Sequence, residues 1–448
     1  MSESSRQKGR RTPVGRALHP FQEFAKKEAS SGILLLVAAV TALVCANSPL
    51  GATYASLWQS ELTIRLGNFS ITKDLILWIN DGLMAIFFLV VSLEIKREVL
   101  VGKLSSVRRA ALPIVAALGG AVVPAGIYLA LNAGTEGSEG WGIPMATDIA
   151  FALGVLALLG ERVPLALKAF LLALAIVDDI VAVMVIALFY TEKISWSALA
   201  IGAGFVIALV VINLGRVRQP LTYALLGVGL WLALLQSGIH ATIAGVLLAT
   251  TIPTQARINT DEFLNQSRKI LDHFDRAGER GESVLANEER QSSLQALEAA
   301  TERVETPLQR IERSLHPWVI FAIMPLFALA NAGVPLGEGL SKTLIHPVSL
   351  GIIAGLVVGK QVGVVLFAWL AVKSGLAEMP AEVSWSQVYG VSWLAGIGFT
   401  LSLFIAGLAF PGDPLLDVAK VGILAASLTA GITGFLILRV VSSSRLSE

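Results

Sequence analysis

Long stretches of this sequence carry no Asp, Glu, Lys or Arg: 29–60, 110–135, 194–215, 219–256, 383–412 and 421–438. A helix needs about 20 apolar residues to cross the core of a bilayer. Lipid offers nothing to pair with an open backbone, so such runs must be helices or helical hairpins packed in a bundle. The residue-by-residue alternation of a transmembrane barrel is absent. Charged residues make up 15% of the chain, against about 25% in an ordinary soluble protein. Most of them fall between the runs. A net charge of +1 gives no basic surface for nucleic acid, and the single cysteine, Cys45, excludes an internal disulfide and a cysteine metal cluster. The polar stretch ahead of the first run is too long for a signal n-region, so that run is expected to stay as a span.

The expected fold is an all-α integral membrane protein. Twelve spans are read, near 31–47, 75–98, 109–132, 144–160, 164–190, 195–214, 219–235, 238–253, 317–334, 347–373, 385–410 and 415–438. Gln236-Ser237-Gly238 supplies the turn that divides 219–256. Orientation follows the basic residues. Arg6, Lys8, Arg10, Arg11, Arg16, Lys26 and Lys27 precede the first span, Lys96, Arg97, Lys103, Arg108 and Arg109 fall on the second connection, and Arg216 and Arg218 on the sixth. Connections of the other parity hold only Arg65, Lys73, Lys193 and Lys342. Both termini are therefore expected in the cytoplasm. The organisation read is a cytoplasmic tail 1–30, spans one to eight over 31–253, a cytoplasmic helical insert 254–315, spans nine to twelve over 316–440 and a tail 441–448.

Two connections carry patterns of their own. Leu62–Leu66 and Phe69–Thr72 alternate around Gly67-Asn68, which suggests an exposed hairpin or, equally, an irregular loop. In the insert, Leu294, Leu297, Val304, Leu308, Ile311 and Leu315 recur at helical spacing, as in a surface helix packing on the bundle. Thr306-Pro307-Leu308-Gln309 reads as a capping box opening a new helix.

The chemistry lies in charges placed where lipid disfavours them. Asp81, Asp148, Asp178, Asp179 and Lys360 all fall inside expected spans. A central Asp or Lys costs about 2.5–3.5 kcal/mol to insert, so groups of this kind are retained for function or for pairing. Lys360 can neutralise one aspartate, which leaves at least two carboxylates unexplained. Asp178 and Asp179 are neighbours on a helix and point about 100° apart. One can line a water-filled cavity while the other turns to a second helix, where a lysine would suit it. A carboxylate in that position can hold a proton or a cation, and competition between them is the minimum requirement for exchange. Thr147-Asp148 after Pro144, and Gly396-Ile397-Gly398 with Thr400, interrupt two spans in the manner of transporter binding sites. Freed carbonyls and the Thr147 hydroxyl are hard oxygen ligands suited to a small alkali cation. Around Lys360, Gly351, Gly355, Gly359 and Gly363 form a small-residue stripe for close helix packing. It is no nucleotide loop, since Ala354 and Gln361 break that motif.

Glu94, Lys96, Arg97 and Glu98 end the second span and Glu312 begins the ninth, as a solvated rim or as an ionic cluster coupled to gating. His240 and His316 lie at expected membrane edges, where either a structural role or pH sensing fits a histidine.

Asn80–Ala85 (NDGLMA), Leu93–Glu98 (LEIKRE), Ala146–Phe151 (ATDIAF), Ala175–Asp179 (AIVDD), Ser237–Thr242 (SGIHAT), Leu315–Trp318 (LHPW), Gly359-Lys360 and Gly396–Thr400 (GIGFT), in this order, resemble the NhaA-type bacterial sodium/proton antiporters. The resemblance implies twelve helices in inverted repeats, with two interrupted helices crossing at the midplane. It implies Asp179 as the principal cation ligand, with Asp178 beside it pairing with Lys360 in the cation-free state. It further implies exchange of one Na+ or Li+ outward for two protons across the bacterial inner membrane, with no cofactor. Glu94, Arg97, Glu98, Glu312 and His316 match a cytoplasmic pH-sensing cluster, and the 62–72 hairpin matches a homodimer contact. Arg313 replaces a familiar second histidine, Gln361 a familiar proline, and the insert is long. The remaining expected partner is membrane lipid, with no nucleic acid or nucleotide. An intramembrane aspartyl protease would need aspartates on separate helices and a Gly-x-Gly-Asp motif, and a channel would need a repeated carbonyl filter. Neither is present.

Overall fold

Apolar runs separated by turn residues fold as expected into a mostly helical chain. A computed structural model describes residues 13–443 apart from 68, 103–105, 192–193, 256–259, 278–286, 338 and 381. Arg6, Lys8, Arg10, Arg11, Lys103 and Lys193, on which the orientation leans, lie outside the described residues, as do Asn68 and parts of both tails and the insert. Among the described residues seven helices are long and apolar enough to cross a membrane, or ten if each of three bent pairs is one span. The expected spans 219–235 and 238–253 appear as the shorter helices Pro220–Leu235 and Ile243–Thr251, on either side of the turn at Gln236.

The chain divides into two compact units. One comprises Ala85–Arg97 and Glu192–Val319. Its core gathers Leu93, Leu209, Tyr223, Leu230, Leu248 and Leu308. The insert forms helices Thr260–Arg276 and Glu288–Val304. A capping box at Thr306 then opens the helix running Pro307–Asn331. The leucine stripe read across this region is at least half-buried at Leu297, Val304, Leu308, Ile311 and Leu315 and breaks at Leu294. Leu308 is buried, whereas Leu294 is exposed, because Glu288–Val304 turns Arg290, Ser293 and Ala300 inward instead. Arg290 stacks its guanidinium over the Phe274 ring, 5.5 Å from the centroid.

The other unit comprises Met1–Met84, Glu98–Thr191 and Ile320–Glu448. It contains the antiparallel hairpin of strands Glu61–Leu66 and Phe69–Asp74, paired Thr63 to Thr72. Its central feature is the packing of Val107–Asn132 against Pro347–Lys373. The glycine stripe explains how close they come. A Cβ on Gly363 would lie 2.1 Å from the Gly119 carbonyl oxygen, and one on Gly359 would lie 2.8 Å from Pro124 Cα. Gly363→Ala is therefore expected to lower stability by about 1–3 kcal/mol, the usual range for overpacking. Thermal melting in detergent reads this out; an unchanged midpoint would show that the two helices can part freely.

Two helices of this unit are broken as the sequence expects. Glu136–Met145, a 3-10 helix, meets Ile149–Leu158 at 44°, and Trp385–Ala395 meets Phe399–Ala409 at 44°. Pro144 and the glycines around 396–398 disfavour continuous α-helix at these points. The lysine helix also contains a π-helical segment, Gly355–Gly359, just before Lys360. Such segments are frequent at functional sites.

Candidate functional site

The two breaks meet each other. The Asp148 N–H donates to the Ile397 carbonyl at 2.6 Å, so unwound backbone from one helix is satisfied by unwound backbone from the other. Ile149–Leu158 and Phe399–Ala409 both begin here, bringing two helix N-termini together. Each N-terminus carries roughly half a positive charge. The Asp148 carboxylate answers both. Its Oδ1 accepts the Phe151 N–H at 3.0 Å, and its Oδ2 accepts the Thr400 N–H at 3.0 Å and the Thr400 hydroxyl at 2.6 Å. With three donors already on it, Asp148 is a double cap that locks the breaks together.

Leu165–Phe189 carries the adjacent aspartates through the same unit. Asp178, Asp179, Thr147, Asp148, Lys360 and Thr400 are each at most 3% exposed. Lys360 Nζ donates to Asp178 Oδ2 in an ion pair whose side chains are fully buried. The Thr147 hydroxyl lies 2.6 Å from the same Asp178 oxygen and 2.7 Å from the Ala395 carbonyl, and its one hydrogen serves one acceptor at a time. Asp178 Oδ1 is buried and makes no hydrogen bond among the described residues. A carboxylate paired at one oxygen and open at the other, beside a second buried carboxylate, can take up a proton or a small cation. Gln361, which follows Lys360, donates its amide to the Leu356 carbonyl at 3.1 Å. That bond caps a carbonyl within the π-helical segment.

The remaining sequence-derived residues have partners of their own. Asp81 pairs with Lys73 of the hairpin at 2.7 Å. Arg97 forms ion pairs with Glu94, at 3.7 Å, and with Glu312. Lys96 donates to the carbonyls of Ala249, Thr250 and Ile252, closing the C-terminus of Ile243–Thr251. Glu98 and His316 are half-buried, and His240 sits in the turn before Ile243, whose N–H its carbonyl accepts at 3.0 Å. Arg313 makes two hydrogen bonds to Glu305, one of them at 2.9 Å from Nη2 to Oε2. Sequence reasoning did not find the hydroxyls that grip the 3-10 segment. Tyr128 donates to the Gly137 carbonyl, Tyr190 to that of Glu139, and Ser402 to that of Ile143. No local pattern announces them, since each partner comes from another element.

A family model described as Na+/H+ antiporter 1 matches residues 22–438. The chain is 52% identical to a Na+/H+ antiporter NhaA of Oleidesulfovibrio alaskensis, over 97% of each chain. It is 51% identical to one of Koribacter versatilis, over 95% of this chain and 92% of that one. With Na+/H+ antiporter NhaA 1 of Saccharophagus degradans the identity is 49%, over 94% and 91%.

Proposed function

This chain belongs to the Na+/H+ antiporter family, and from that premise we propose that it carries sodium out of the cytoplasm in exchange for protons. It is a multi-pass membrane transporter and not an enzyme. The observation that carries the mechanism is the buried Lys360–Asp178 ion pair beside Asp179, next to the meeting breaks. In the cation-free state Lys360 holds Asp178. Sodium, or lithium, then binds at Asp179 with Asp178 beside it, and Thr147 and freed carbonyls add neutral oxygens. Protons compete for the same carboxylates, so loading from one side and release to the other exchanges them for the cation. Two titrating carboxylates on one site support two protons per cation, and hence electrogenic exchange driven by the proton-motive force.

The same reading gives twelve helices in inverted repeats, crossing at the membrane midplane through the breaks at 146–148 and 396–398. It places the protein in the bacterial inner membrane with both termini and the 254–315 insert in the cytoplasm, and it makes the 62–72 hairpin a homodimer contact. Activation by rising pH would act through Glu94, Arg97, Glu98, Glu312 and His316, with His240 on the opposite side. The Arg97 ion pairs to Glu94 and Glu312 support such a cluster.

Everted vesicles with an imposed proton gradient test this. Sodium or lithium is expected to dissipate the gradient more strongly as pH rises. No dissipation by either ion from neutral to alkaline pH would overturn the proposal, and a response to potassium alone would replace sodium as the substrate.

A further inference from the structure

We propose that the Tyr190 hydroxyl is a positioning group for cation binding, latching the end of the aspartate helix to the segment that delivers Thr147 and Asp148. The inference rests on sodium exchange at Asp178 and Asp179. Glu136–Met145 is ten residues of 3-10 helix, whereas such runs rarely exceed three or four residues because their hydrogen bonds are poor. A segment like this stays in place only if other elements hold it.

Tyr190 is the first residue after Leu165–Phe189. Its hydroxyl donates to the Glu139 carbonyl at 2.7 Å and accepts the Gly142 N–H at 3.3 Å, stapling one turn of the segment. The absence of a side chain at residue 142 permits this approach, since a Cβ there would lie 2.8 Å from the phenol oxygen. Next to the staple, Trp141 packs edge-on against Phe189 at 5.0 Å. Met145 and Val185 fill the interior between the two elements, with Ala121 and Ala125.

The connections form a closed circuit. From Asp179 the helix runs about 16 Å to Tyr190, at 1.5 Å per residue. The hydroxyl crosses to 139–142, and the chain returns within a few residues to Thr147. The Thr147 hydroxyl then meets Asp178 at 2.6 Å. Opening the circuit at Tyr190 frees the 3-10 segment to shift and takes Thr147 off its working distance from the carboxylates. Tyr128 and Ser402 grip the same segment from other helices. Of the three hydroxyls, only that of Tyr190 ties the segment to the aspartate helix.

Full-length Tyr190→Phe in proteoliposomes tests the latch, because phenylalanine keeps the ring and removes the hydroxyl. The half-saturating sodium concentration is expected to rise about fivefold, the ratio expected for one hydrogen bond of ordinary net strength, at a preserved maximum rate. Gly142→Ala attacks the same contact from the other side and is expected to raise half-saturation in the same direction. A merely structural tyrosine would lower the melting temperature or the maximum rate and leave half-saturation unchanged, which overturns the proposal. Wild-type protein without sodium-coupled exchange would overturn both this inference and the function it rests on. A sodium-coupled wild type with unshifted variants overturns the latch alone.

Discussion

Asp179→Asn is expected to abolish sodium-coupled proton exchange while leaving a folded, inserted protein. Asparagine matches aspartate in size, so the packing around a residue only 3% exposed is retained. What disappears is the negative charge that, in the proposed exchange, binds the cation and the proton that replaces it. In a water-poor site a cation deprived of its carboxylate loses about 3–5 kcal/mol, by analogy with breaking a buried ion pair. At about 1.4 kcal/mol per factor of ten, affinity then falls more than a hundredfold. Purified variant in proteoliposomes, with proton flux followed as sodium is added, gives the measurement. Flux near the wild-type level would remove Asp179 from the site. Asp178→Asn is a different experiment, because it also strands Lys360, which is fully buried with Asp178 as its ion-pair partner.

Much of this arrangement was legible because lipid enforces it. A backbone that must pair internally and a charge that must have a reason together single out a bundle of apolar helices, the breaks at Asp148 and Gly396–Gly398, and the Asp/Lys group. Of the twelve expected spans, seven to ten are long and apolar enough to cross among the described residues. Glycine and proline mark where a helix can open, and local sequence suffices for that. Local sequence does not say what fills the opening. Asp148 lies early in its span, and no local pattern announces that its oxygens accept the donors of Phe151 and Thr400, the latter from the distant second break. Lys96 sits in a charged run that reads as a solvated rim or as an ionic cluster coupled to gating, and neither reading says that it closes the end of another helix through three carbonyls. The stripe breaks at Leu294 for a related reason. Helical spacing gives a face, but the neighbours decide which residues are buried, and here Arg290, Ser293 and Ala300 are buried in place of Leu294. The π-helical segments at 78–83, 319–323 and 355–359 left no periodic trace, because one inserted residue shifts the phase of a helix without changing its composition.

Lys360→Ala should damage the fold as well as transport, and the two losses can be separated. The lysine is completely buried and donates to Asp178 Oδ2, while Asp178 Oδ1 has no hydrogen-bond partner among the described residues. Removing the ammonium leaves a buried carboxylate that keeps, among the described residues, the Thr147 hydroxyl as its hydrogen-bond partner. Breaking one side of a buried ion pair destabilises by about 3–5 kcal/mol. The melting temperature in detergent is therefore expected to fall clearly, and exchange to fall with it. Adding Asp178→Asn removes the stranded charge. The double variant should then recover a large part of the lost stability, with a coupling of roughly 1 kcal/mol or more between the two positions. Transport should not return, because the second carboxylate of the exchanging pair is now missing. Recovery of both would assign Lys360 and Asp178 to structure alone and leave Asp179 as the sole exchanging carboxylate. A Lys360→Ala protein that melts like the wild type would show that the ion pair contributes nothing to holding these helices together.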